Sequence, residues 1–155
     1  MQIGDKAVDF SLYSDKKKLF QLSQVTKEGP VLLLFFPAAF TGTCTTELNE
    51  VNNTLEEYSG ATVVGISTDT PFTLAEYGKV NALRFDLLSD HDAEVSALYQ
   101  TKYDEGFTGM KLVRISKRSA FVIDREGILQ YVEVLENAGH IPDLEAIKNV
   151  LKSIS

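Results

Sequence analysis

The chain has 155 residues, of which 44% are hydrophobic and 24% charged. That is enough to bury the core of one domain, and it excludes a coiled coil, a collagen-like repeat and a disordered tail. Against 22 Asp and Glu stand only 15 Lys and Arg, a net charge of -7 that lacks the electrostatic footprint of nucleic-acid binding.

Lys16-Lys17-Lys18 lies between Phe10 and Phe20 and reads as the solvated turn of a short N-terminal hairpin. Val31 to Phe36 is apolar at every position, which suits a central strand covered on both faces, and Pro37 ends it. Thr43 to Tyr58 carries Leu48, Val51 and Leu55 at helical spacing. Ala61 to Ser67 reads as a second buried strand. Pro71 to Val80 reads as a helix with Thr70 at its N-cap and Pro71 at its first position. Phe85 to Leu88 is a short strand, and Ser89-Asp90 opens a helix through Tyr99. Thr101 to Lys117 has no clear period and is assigned as loop with room for a short strand. Ala120 to Asp124 and Ile128 to Leu135 are strands joined by the turn Arg125-Glu126-Gly127. Pro142 and Asp143 open a final helix with Leu144, Ile147, Val150 and Leu151 on one face. Strands alternating with helices indicate a three-layer α/β domain spanning 1–155. No stretch is long and apolar enough to span a bilayer, and Met1-Gln2-Ile3-Gly4-Asp5 lacks the pattern of a signal peptide.

The chain has one cysteine, Cys44, so no intrachain disulfide can form and a reducing cytoplasmic setting is expected. A lone cysteine is ordinarily a small buried hydrophobe. Here it falls just beyond a central strand, in the first turn of the next helix. Sites in open α/β sheets gather at strand carboxyl ends, and a helix start offers unpaired N–H groups and a positive dipole end. Both favour thiolate over thiol.

The surrounding residues, Pro37-x-x-x-Thr41-x-x-Cys44, resemble the signature of the peroxiredoxins, the thiol-dependent peroxidases. The resemblance continues in Gly4-Asp5-x-Ala7-x-Asp9-Phe10, in Phe85-Asp86-Leu87-Leu88-Ser89-Asp90 and in Arg118-Ser119-Ala120-Phe121-Val122-Ile123-Asp124, and so covers nearly the whole chain. It implies a thioredoxin-like fold with a central mixed sheet and an N-terminal β-hairpin extension. In that fold the strand at Ala120 runs antiparallel to the strand at Val31, which brings Arg118 toward Cys44.

The resemblance further implies a site. Cys44 is the nucleophile that becomes a sulfenic acid, Thr41 positions the peroxide, and Arg118 supplies fixed positive charge. Pro37 shields the thiolate, and Glu47 stands behind the arginine and orients it. Complete ionisation of a free thiol gains at most about thirtyfold, roughly 2 kcal/mol, at neutral pH. Most of the acceleration must therefore come from stabilising charge on the departing oxygen. The position five residues after Cys44, where one branch keeps a resolving cysteine, is Asn49. The chain thus resembles a one-cysteine peroxiredoxin, near the alkyl hydroperoxide reductase E branch. The implied partners are a peroxide and an external thiol reductant, either a small thiol or a thioredoxin- or glutaredoxin-like protein. A homodimer or larger homo-oligomer is implied as well, and no nucleic-acid or membrane partner.

His91 and His140 have no spacing that pairs them with Cys44, and no His, Cys and carboxylate cluster has metal-ligand spacing. Neither a metal nor another cofactor is expected. Lys111 and Lys117 read as a solvated edge, and Arg114 is a second candidate for the site arginine. Phe40 is open to three readings: core, pocket wall or dimer contact. The competing function is non-enzymatic, a thioredoxin-like redox sensor or interaction module. Retention of Pro37, Thr41, Cys44 and Arg118 together favours catalysis.

Overall fold

A computed structural model describes residues 1–154. Its centre is β3 (Val31–Phe35), every residue of which is fully buried. Because side chains alternate across a strand, Leu32 and Leu34 enter one core and Val31, Leu33 and Phe35 the other. Each such Leu or Phe contributes roughly 1.5–3 kcal/mol by leaving water.

Around β3 lie β1 (Ser11–Ser14), β2 (Leu19–Gln21), β4 (Thr62–Ser67), β5 (Asp86–Ser89), β6 (Ser119–Ile123) and β7 (Leu129–Val134). They form one seven-stranded sheet in the order β2-β1-β5-β4-β3-β6-β7. The β3–β4 and β4–β5 pairs are parallel, and the remaining pairs are antiparallel, so the sheet is mixed. The expected N-terminal hairpin is β1 and β2, turning at Lys16 to Lys18. Helices α2 (Gly42–Asn53), α3 (Pro71–Val80) and α5 (Leu144–Ile154) supply Leu48, Val51, Leu74, Tyr77, Leu144, Ile147 and Leu151 to the first core. Helices α1 (Leu22–Val25) and α4 (Glu94–Leu98) supply Leu22 and Val95 to the second. The result is three layers with the sheet in the middle.

Three elements depart from the sequence reading. The helix expected from Ser89-Asp90 begins only at Glu94. The buried Asp90 carboxylate accepts the N–H groups of Val95 and Ser96 at 3.0 and 2.8 Å, and Ala93 takes a left-handed conformation at φ 60°. A capping carboxylate thus sits where helix was expected. The helix expected to run to Tyr58 stops at Asn53. Thr54 bonds back to the Glu50 carbonyl at 2.9 Å, and Leu55–Tyr58 form a separate 3₁₀ turn. Helix α1 carries no sequence signal of its own, being one short turn held by Leu22.

The segment 101–117 is an open excursion closed at its base. Lys117 N–H donates to the Thr101 carbonyl at 2.7 Å, and the Thr101 and Ser116 hydroxyls bond at 2.8 Å. Between these ends lie only the isolated bridges Lys102–Ser116 and Phe107–Leu112.

Gly65 in β4 has no room for a side chain. A Cβ there would lie 2.8 Å from Leu87 Cδ2 and 3.2 Å from Phe36 Cε1. Gly65→Ala is therefore expected to destabilise the fold by about 1–3 kcal/mol in urea unfolding. An unchanged midpoint would show that Leu87 moves aside without strain.

Candidate active site

The carboxyl end of β3 leads into the segment that carries Cys44. Phe36 N–H completes the ladder by donating to the Ile66 carbonyl at 2.9 Å. Pro37, buried, has no N–H to continue it. The chain then turns through Phe40, whose left-handed backbone (φ 65°) is unusual for a bulky residue. The Phe40 ring lies edge-on to Tyr77 with centroids 5.0 Å apart. Thr41 is the N-cap of α2, yet its hydroxyl does not cap the helix. It donates backward to the Ala38 carbonyl at 2.7 Å.

Cys44 follows in the first turn, where backbone N–H groups have no partner within the helix. It is 1% exposed and belongs to the first core. The neighbouring Thr45 hydroxyl bonds to the Tyr77 hydroxyl at 2.9 Å, which ties this turn to α3.

Arg118 arrives from across the sheet. The antiparallel register sets Phe35 of β3 opposite Ser119 of β6, so the residue before β6 lies at the end where β3 finishes. Arg118 Nη1 is 3.3 Å from Cys44 Sγ and 2.8 Å from Glu47 Oε1, while Nη2 donates to the Ala138 carbonyl at 3.0 Å. Arg118 is 1% exposed and Glu47 0%. Glu47 is one helical step beyond Cys44, on the same inward side of α2. Glu47 Oε2 and Arg118 Nε have no hydrogen-bond partner among the described residues.

Burial pushes the Glu47 carboxyl up to about 7, against the pull of Arg118 in the opposite direction, and nearby Glu133 adds to the rise. Burial also opposes the charge on Arg118, but Glu47 and Cys44 outweigh it and the guanidinium stays protonated. Burial raises the Tyr77 phenol to about 12, so Tyr77 is neutral near physiological pH.

The structure thus brings Cys44, Arg118 and Glu47 into contact, with Pro37 and Thr41 on the segment leading to them. Arg114 is not the site arginine. It is exposed and donates to the His91 carbonyl at 2.9 Å. Lys117 is less solvated than expected: its side chain is only 15% exposed and its ammonium meets Glu136 at 2.9 Å. His140 is exposed and lines an open groove with Gly42, Thr43, Thr46, Gly139 and Ile141, beside the first turn of α2. Phe40 is 55% exposed, which removes it from the core.

Sequence reasoning missed three contributors, Tyr77, the Ala138 carbonyl and Asp69, whose carboxylate accepts the Ala39 N–H at 2.9 Å. Asp69 lies just past the end of β4, at the same sheet end as Cys44, so its position was a usable signal. Among the described residues no group of three or more His, Cys, Asp or Glu could hold a metal ion, and no helix is long and apolar enough to cross a membrane.

Residues 3–132 match the profile of the AhpC/TSA family. A Mycobacterium tuberculosis protein provisionally named a peroxiredoxin is 37% identical over 128 residues, 81% of this chain and 80% of its own. Alkyl hydroperoxide reductase E of Mycobacterium bovis is 30% identical across 100% of this chain and 99% of its own. The crystal structure of peroxidoxin BcpB from Mycobacterium tuberculosis superposes with a TM-score of 0.86 at 31% identity, covering 100% of this chain and 99% of that one. The α/β thioredoxin-like fold expected from the sequence is the fold observed.

A carboxyl lifted from 4.5 to about 7 holds its proton in the folded state after the unfolded chain has released it. Stability from this group is therefore fully present below about pH 4.5 and declines as pH rises toward 7. The urea midpoint of the wild type should fall over that window more steeply than that of Glu47→Gln. Equal slopes in the two proteins would mean that Glu47 is already ionised throughout.

Proposed function

Because the chain belongs to the AhpC/TSA family and is a thiol-dependent peroxidase of the peroxiredoxin kind, we propose that Cys44 is the sulfur it oxidises. The supporting observation is the buried contact of 3.3 Å between Cys44 Sγ and Arg118 Nη1.

In the proposed step, the Cys44 thiolate attacks the terminal oxygen of a hydroperoxide. An S–O bond forms as the O–O bond breaks, and both electrons of that bond leave with the distal oxygen. The sulfur is oxidised to sulfenic acid. The departing hydroxide or alkoxide takes up a proton and leaves as water or alcohol. Arg118 stabilises the thiolate and the charge growing on the departing oxygen, in a place where little water competes for its N–H groups. Glu47 holds Arg118 Nη1 beside the sulfur. Thr41 positions the peroxide by hydrogen bonding, and Pro37 closes the pocket against bulk water. Hydrogen peroxide and organic hydroperoxides share the O–O bond this chemistry needs.

Cys44 is the chain's one cysteine, so the sulfenic acid has no resolving partner within it. Return to thiol takes an external thiol, either a small molecule or a thioredoxin- or glutaredoxin-like protein. Two thiol hydrogens then leave with the oxygen as water, and a disulfide forms on the reductant's side. The groove lined by Thr43, Thr46 and His140 opens beside the first turn of α2 and offers a route of approach. A cycle of this kind needs a thiol-rich setting, which supports a cytoplasmic location. The exposed Phe40 ring next to the site supports association with a second copy through this face.

Cys44→Ser should abolish peroxide turnover while leaving the circular dichroism spectrum unchanged. Turnover near the wild-type rate would overturn the assignment of Cys44. Arg118→Ala should slow Cys44 oxidation by more than the roughly thirtyfold that ionisation alone explains. Stopped-flow oxidation, divided by the rate of iodoacetamide alkylation, measures this. A loss wholly accounted for by thiolate fraction would reduce Arg118 to an ionising role.

A further inference from the structure

The Ala38–Ala39 peptide unit is gripped at both ends. Its N–H, from Ala39, donates to Asp69 Oδ2 at 2.9 Å, and its carbonyl, from Ala38, accepts the Thr41 hydroxyl at 2.7 Å. The Asp69 carboxylate is itself built in. Ser67, 0% exposed, donates its hydroxyl to the same Oδ2 at 2.6 Å and accepts the Asp69 N–H at 3.3 Å. The Asp69 carbonyl accepts the Ser89 hydroxyl at 2.6 Å. Thus the carboxyl ends of β4 and β5 both anchor Asp69, and Asp69 reaches across to the segment between β3 and α2.

We propose that Asp69 is a positioning residue for peroxide reduction: by holding the Ala38–Ala39 peptide it aims the Thr41 hydroxyl at the substrate. The inference rests on the proposed role of Thr41 and extends it. A hydroxyl carries one proton and two acceptor sites. The Thr41 proton is committed to the Ala38 carbonyl, so what Thr41 Oγ presents outward is lone pairs. Those accept the O–H of a peroxide, which places the proton-bearing terminal oxygen for attack by Cys44. A carboxylate on the N–H of a peptide unit also polarises that unit, so its carbonyl becomes a stronger acceptor and holds the Thr41 proton more firmly. If Asp69 is removed, the peptide can rotate and Thr41 can turn its proton outward as a donor. None of the hydrogen bonds of Asp69 reaches Cys44 or Arg118, so its loss is expected to leave thiolate formation in place.

The test is a double-mutant cycle of Asp69→Ala and Thr41→Val, with Asp69→Asn as the conservative variant. Two rates are read on the reduced protein: oxidation of Cys44 by hydrogen peroxide, and alkylation by iodoacetamide. Asp69→Ala should slow oxidation roughly ten- to a hundredfold through misplacement of the peroxide, with alkylation within about twofold of wild type. Asp69→Asn, which keeps an oxygen for the Ala39 N–H and can donate to Ser67, should recover most of the rate. Asp69→Ala should cost nothing further in the Thr41→Val background.

If Thr41→Val is slow while Asp69→Ala oxidises at the wild-type rate, the inference fails and the Thr41 assignment stands. If Thr41→Val is as fast as wild type, the Thr41 assignment fails and this inference falls with it. Parallel loss of oxidation and alkylation in Asp69→Ala would show a merely structural role and overturn the proposal, as would additive losses in the double mutant. Should Asp69→Ala not fold, Ser67→Ala keeps the carboxylate and removes the two bonds by which Ser67 steadies Asp69, one to its carboxylate and one from its N–H. It carries the same expectations of slowed oxidation, unchanged alkylation and no further loss with Thr41→Val, and their failure overturns the proposal equally.

Discussion

A guanidinium almost wholly withdrawn from water is costly unless its N–H groups are met by acceptors. Arg118 meets this condition at its two terminal nitrogens, with a carboxylate, a carbonyl and a sulfur, while Nε finds no partner among the described residues. The requirement fixes much of the molecule. Glu47 must be buried on α2, the chain near Ala138 must pass beside the sheet end, and β6 must pair antiparallel with β3 so that its first residues lie at the right edge. One nitrogen, Nη1, faces both the sulfur and the Glu47 oxygen, so the two acceptors share a single donor group. A Glu47 carboxyl that titrates near neutrality therefore changes how much of that positive charge the sulfur feels.

The site is hung from three separate supports. Helix α2 presents the sulfur at its positive end. Strand β6 delivers the arginine over a sequence separation of 74 residues. The unit from β4 to α3 steadies the connecting segment, through Asp69 on the Ala39 N–H and Tyr77 on Phe40 and Thr45. Each support is rooted in the sheet core, and Cys44 itself packs within it. Rigidity of this sort lets preset dipoles stabilise charge without reorganising during the reaction.

What could be read from the residues came from local physics. The unbroken apolar run at Val31 announced a central strand, and Thr70-Pro71 marked a helix start that the structure places at the same residues, with the Thr70 hydroxyl accepting the Thr73 N–H at 3.3 Å. The proximity of Arg118 to Cys44 could not be read from spacing; it came from family resemblance, because strand pairing over such a distance leaves no local trace. Asp90 misled for the opposite reason. An acidic residue before an apolar stripe resembles a helix start, yet its carboxylate reaches to the fifth and sixth residues beyond and delays the helix. Asp69 passed unremarked because its partner lies 30 residues back. Arg114 and Arg118 stand in one basic stretch; the resemblance favours Arg118, and burial and the contact with Cys44 Sγ set it apart from the exposed Arg114.

The closure at Thr101, Ser116 and Lys117 insulates Arg118 and β6 from the excursion before them. Arg118 directly succeeds a stretch with little regular structure, yet the knot at its base sets where the chain re-enters the sheet. Lengthening a surface excursion between fixed ends costs little, about 0.6 kcal/mol for each doubling. Residues at the outer end of the excursion can therefore vary in number without dislodging the cation. The same framework can present different outer walls to different molecules while its electrostatic centre stays in place.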